Sequence, residues 1–109
     1  MKVSQLAAKA GLNSLSEYND REAEGVYISD MVSDIITGAK ANNILITLQT
    51  HKSLIAAANL VDVAAVVFAR GRTPSSDTVQ LGRNAGIALF VTDADTWSFA
   101  VKLNEIGIR

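Results

Sequence analysis

The sequence predicts an α/β protein: a three-layer α/β/α single domain over residues 1–109 with a mostly parallel central sheet. Two observations carry that expectation. Four short, β-branched-rich runs, "VYIS", "ILITLQ", "VAAVVFA" and "IALFVT", begin near residues 26, 44, 63 and 87. They are near-continuously apolar rather than alternating, as strands covered on both faces are. Each run is followed by a polar turn and then a segment of helical spacing. Such alternation reads as βα units joined by right-handed crossovers.

Taken in order, the first 25 residues offer a short helix, "SQLAAKAGL", with Ser4 as its cap. "NSLSEYN" reads as an edge strand, and "DREAEG" as an acidic loop without a core contribution. After the first run, Ser29 or Asp30 can cap "MVSDIITGAKA", in which Met31, Ile35 and Ile36 fall at helical spacing with Val32 and Ala39 beside them. Ser53 or Thr50 can cap "LIAAANL". The third run leads through "GRTPSSD", which holds the only proline, into "TVQLGRNA". Gly86 then suits a left-handed position after that helix. Asp93 or Asp95 can cap "TWSFAVKLNEI", which stops at Gly107.

Composition narrows the function classes. The 109 residues are 49% apolar and 19% charged, which fits one domain around one core. Aromatics are only 6%, so thin aliphatic layers are expected rather than an aromatic pocket. A net charge of −1 argues against a general nucleic-acid binder, which needs clustered Lys and Arg. Without cysteine there is no disulfide, thiolate catalysis, cysteine-ligated zinc or cysteine-held cluster. "VSQLAAKAGL" is interrupted by Lys9 and has no secretory pattern, and no run approaches the roughly 20 apolar residues of a membrane span. A cytoplasmic location without membrane contact is the expectation.

In a parallel sheet all strand-to-helix turns open on one edge, where ligands bind near a switch in strand order. That edge should carry Ser29, Asp30, Thr50, His51, Lys52, Arg70, Gly71, Arg72, Thr92 and Asp93. The cations among them, with helix N–H groups, can surround an anion. Alternatively Asp30 and Asp93 pair with them into a closed polar network. Ser29, Asp30, Thr92 and Asp93 are also ordinary helix caps, an explanation that does not extend to His51, Arg70 or Arg72. His51 is the only histidine.

Catalytic templates are missing: there is no G-x-S-x-G, H-E-x-x-H, Walker A or G-x-G-x-x-G after a strand. Acid–base work by His51 and Asp30 is conceivable, but no recognised catalytic spacing supports it. No second nitrogen ligand exists for a metal, and neither metal nor cofactor is expected. "VSQLAAKAGLNSLSEY" opens like a helix-turn-helix, yet the acidic "NDREAEG" follows where a basic recognition helix belongs.

"GVYISDMVSDIITGAKANNILITLQTH" resembles the DRTGG domain family, in Ser29-Asp30 and in Gln49-Thr50-His51 closing the second strand. "DREAEG" and "NAGIALFVTDADTWSFAVKLNEIGI" are similar to that domain's flanking segments, so the resemblance spans nearly the whole chain. It implies a fold like the N-terminal domain of HPr kinase/phosphatase and a regulatory, dimer-forming role. For a stand-alone member it also implies association with hydrogenase or electron-transfer components. Where many relatives have a Thr-Gly-Gly-like turn, this chain has Ala69-Arg70-Gly71, placing bulk and charge where a glycine would admit a ligand. The reading is a non-catalytic regulatory or interaction domain, homodimeric, sensing a small effector. The alternatives are a binder of an anionic metabolite such as a nucleotide and, more distantly, an enzyme acting on phosphorylated small molecules.

Overall fold

The computed structural model describes residues 1–109 as nine elements: α1 (Val3–Ala10), β1 (Val26–Ile28), α2 (Val32–Gly38), β2 (Ile44–Thr47), α3 (Lys52–Leu60), β3 (Ala65–Phe68), α4 (Ser76–Ala85), β4 (Ala88–Val91) and α5 (Thr96–Glu105). All four apolar runs are strands, paired in parallel in the order β1-β2-β3-β4. The register aligns Ile28, Ile46, Val67 and Phe90 in one row across the sheet, and Tyr27, Leu45, Val66 and Leu89 in the next.

Alternate rows face opposite layers. Ile44, Ile46, Ala65, Val67, Ala88 and Phe90 pack with Val3, Leu6, Ala7 and Ala10 of α1 and with Phe99 and Leu103 of α5. On the other face Leu45, Val66, Phe68 and Leu89 meet Ile35 of α2 and Leu54, Ile55, Ala57 and Ala58 of α3. Gly82 brings α4 against Leu89 on that same face. The division follows from strand order: successive crossovers of one hand deliver α2, α3 and α4 to the same face. The remaining face is closed by α1 and α5, from the two ends of the chain. Along α2 and its two flanking residues the expected apolar stripe is only partly buried: Ile35 and Ala39 are buried, whereas Met31 and Ile36 are exposed.

The first 25 residues depart from expectation in three places. Ser4 is not the cap of α1; Lys2 precedes the helix, and the Ser4 N–H donates to the Asp20 carboxylate at 3.0 Å. "NSLSEYN" lies antiparallel along the outer edge of β4 but makes one bridge, Ser14 with Phe90, instead of a strand. The Leu15 N–H donates to the Leu89 carbonyl and the Asn19 N–H to the Gly86 carbonyl. Four chain steps therefore oppose three, a bulge-type mismatch that breaks the ladder between these contacts. "DREAEG" does enter the core, through Ala23, 3% exposed. It also supplies Arg21, whose guanidinium bonds the Asn42 side-chain carbonyl and, at 2.7 Å, the Asp62 carboxylate. Asn42 and Asp62 occupy left-handed backbone positions, φ 69° and 64°, in the turns entering β2 and β3. Arg21 therefore ties two reversals together at the amino end of the sheet.

Two predictions come from this packing. A Cβ on Gly82 would lie 2.5 Å from Leu89 Cδ1, so α4 seats against β4 only without one. Gly82→Ala should lower unfolding free energy by about 1–3 kcal/mol, outweighing a helix-propensity gain of about 1 kcal/mol, as read by urea denaturation. Hydrogen bonding from Arg21 holds the Asp62 carboxyl below its ordinary range, and the Met1 ammonium does the same to Glu22. Depressed carboxyls add stability that is complete above their unfolded pKa of about 4 and is lost as pH falls through the folded values. The urea midpoint should therefore drop on acidification below about pH 4, with a shallower drop in Asp62→Asn.

Candidate functional site

Because the strands are parallel and in order, their carboxyl ends share one rim, where every predicted site residue lies. The turn after β1 is bound to the end of β2. Asp30 Oδ1 accepts from the Thr47 hydroxyl at 2.9 Å and from the Leu48 N–H at 2.7 Å. Asp30 is thus not the α2 cap; α2 follows Met31 without a side-chain cap, and Ser29 Oγ accepts from the Met31 N–H.

The stretch from Thr47 to Ser53 is a chain of local hydrogen bonds. The Gln49 N–H donates to Thr47 Oγ1 at 3.0 Å, and Gln49 Oε1 accepts from the His51 N–H at 3.1 Å. His51 then caps α3: its Nδ1 accepts from the Ser53 N–H at 3.1 Å and lies 2.9 Å from Ser53 Oγ. Neither Ser53 nor Thr50 is the cap, and a capping role does account for His51, contrary to the expectation from the sequence. An accepting Nδ1 places the hydrogen of the neutral ring on Nε2.

The start of α4 completes this part of the rim. Ser75 caps α4, and the fully buried Thr78 donates its hydroxyl to the Thr50 carbonyl at 3.0 Å. The β3 turn is bonded to the β4 turn in the same way, with the Arg70 N–H on the Ala94 carbonyl and the Gly71 N–H on that of Thr92. Arg70 and Gly71 are both left-handed, φ 58° and 68°. Arg70 therefore adopts a conformation that glycine takes without strain. A Cβ on Gly71 would meet Asp93 Oδ1 at 3.2 Å. Of the two acidic candidates before α5, Asp95 is the cap; the Ser98 N–H it accepts at 2.7 Å lowers its carboxyl pKa.

Two hollows open on this rim. One, of about 350 Å³, is lined by Gln49, Thr50, His51, Lys52, Ser75, Asp77 and Thr78, with no apolar side chain. The other, of about 250 Å³, is lined by Asp30, Leu48, Gln49, Thr50 and Arg72. Ser29, Arg70, Gly71, Thr92 and Asp93 share the rim but line neither hollow. Ser75, Asp77 and Thr78 were not anticipated, although Ser-Ser-Asp after the sole proline is a helix-start signal. The sequential strand order has no reversal, so the crevice of a topological switch point is absent. No group of three His, Asp or Glu side chains is placed to hold a metal ion, and no helix is long and apolar enough to cross a membrane.

The architecture is similar to the solved structure of the CBS and DRTGG domains of the regulatory region of Clostridium perfringens pyrophosphatase, complexed with its activator diadenosine tetraphosphate. The TM-score is 0.72 at 13% identity, over 93% of this chain and 45% of that one. The likeness is one of fold. No family model matches the sequence, and no curated protein matches it. The chain spans less than half the length of the regulatory region it resembles.

His51→Ala should destabilise by about 0.5–2 kcal/mol, the usual loss for an N-cap. His51→Asn keeps a side-chain acceptor and should stay close to wild type. Urea midpoints of the two variants read this directly.

Proposed function

We propose that residues 1–109 form one non-catalytic regulatory domain of the DRTGG kind whose carboxyl rim senses a small anionic effector. The observation that carries the reading is the all-polar hollow built where α3 and α4 begin, with Lys52 and His51 in its lining. First-turn N–H groups of helices are natural partners for anions. The resemblance in Ser29-Asp30 and Gln49-Thr50-His51 points the same way, as does a fold shared with a regulatory region solved with a nucleotide activator. A homodimer acting on a catalytic partner, a hydrogenase or electron-transfer component, follows from the family resemblance. The proposal keeps the cytoplasmic location expected from the sequence.

Two details weigh against an enzyme. His51 Nδ1 is committed to the α3 cap, and Asp30 Oδ1 already accepts from two donors. With Nδ1 as acceptor, the neutral His51 ring has no free acceptor nitrogen for the work of a general base, and Asp30 Oδ1 ties the β1 turn to the end of β2.

A thermal-shift series with orthophosphate, ATP and diadenosine tetraphosphate tests the effector reading. An effector at about 100 times its Kd should stabilise by about 2.7 kcal/mol, and Lys52→Ala should abolish most of that shift. No shift with any anion would remove the effector and leave a protein-interaction module. Sedimentation showing only monomer at high micromolar concentration would remove the homodimer.

A further inference from the structure

We infer that the rim takes a ligand with two anionic groups, one seated in each hollow; this narrows the effector reading above and rests on it. The hollows are adjacent, sharing Gln49 and Thr50 as a common wall. Each holds one cationic side chain, Lys52 in the larger and Arg72 in the smaller. Neither cation is within ion-pair distance of a carboxylate; the ion pairs of the chain are Met1 with Glu22 and Arg21 with Asp62. Two uncommitted cations on opposite sides of one polar ridge match a ligand charged at both ends.

The acidic residues in the hollows refine the fit. Asp30 is compensated by the Thr47 hydroxyl and the Leu48 N–H. Asp77 lies in the first turn of α4, where the helix dipole favours a carboxylate. Its charge opposes an anion in the larger hollow, so that end needs Lys52 together with neutral donors of the lining, which includes His51 and Gln49. No apolar side chain lines that hollow, and only Leu48 lines the smaller, so no surface is offered for stacking a nucleobase. The ligand class is therefore a small bisphosphorylated metabolite, selected by its two charged ends rather than by a ring.

Calorimetric titration of the full chain without divalent cations tests this, using orthophosphate, pyrophosphate, tripolyphosphate and a hexose 1,6-bisphosphate. At least one two-ended probe should bind tenfold or more tighter than orthophosphate. Lys52→Ala and Arg72→Ala should each erase that preference, and Asp77→Asn should tighten binding severalfold, with melting curves showing each variant folded. The sugar bisphosphate should match or exceed the inorganic chains; a preference confined to inorganic polyphosphate would overturn the metabolite assignment. Equal affinity for one- and two-ended probes, or an unchanged preference in Arg72→Ala, would overturn the two-hollow inference while leaving a single anion site standing. No binding of any probe would overturn the two-hollow inference, and the nucleotide arms of the thermal-shift series then decide the effector reading.

Discussion

The structure depends on a sheet whose strands are apolar on both faces. Leu45, Ile46, Val66, Val67, Leu89 and Phe90 have no exposed surface, although they point alternately to the two sides. Such a sheet leaves either face in water only at a cost of about 25 cal/mol per Å² of apolar area, so two helical layers are obligatory. With strands in sequential order, the crossover helices all fall on one side. The segments before β1 and after β4 must cover the other. That is why α1 and α5 share a layer although they are the most distant helices in the sequence.

The same order builds the rim. Successive turns stand side by side and are bonded laterally: Asp30 to Leu48, Thr78 to Thr50, Arg70 to Ala94 and Gly71 to Thr92. Each link runs from one turn, or the helix after it, to its neighbour. Gln49 and Thr50 are thereby held in place between the two hollows. A rim organised in advance would lose little freedom on binding, which is compatible with the proposed effector site. At the opposite end, Arg21 performs the analogous service for the turns at Asn42 and Asp62.

The strands were legible because continuous burial writes itself as continuous hydrophobicity, and the later helix ends because Gly86 and Asp95 use common capping chemistry. What was illegible depended on partners distant in sequence. Ala23 sits in an acidic stretch whose burial is decided by the packing of α1 and the C-terminal residues. Ser14 to Asn19 has strand-like residues, but its register against β4 admits one bridge only. At the site, the residues directly after each strand were easy to place on the rim. Ser75, Asp77 and Thr78 were not, because the loop from Arg72 to Ser75 carries them back to Thr50. The role of His51 is hidden from the sequence for a chemical reason: imidazole is an uncommon cap, and its acceptor nitrogen shows only in the geometry at Ser53.

The proposed effector site lies at the carboxyl ends of the strands. Backbone amide resonances followed by NMR during titration with tripolyphosphate test it most directly. Shifts concentrated in residues 49–53, at Arg72 and in residues 75–78 are expected. Shifts centred instead on Asn42, Asp62 and Gly107, at the amino ends of the strands, would contradict it.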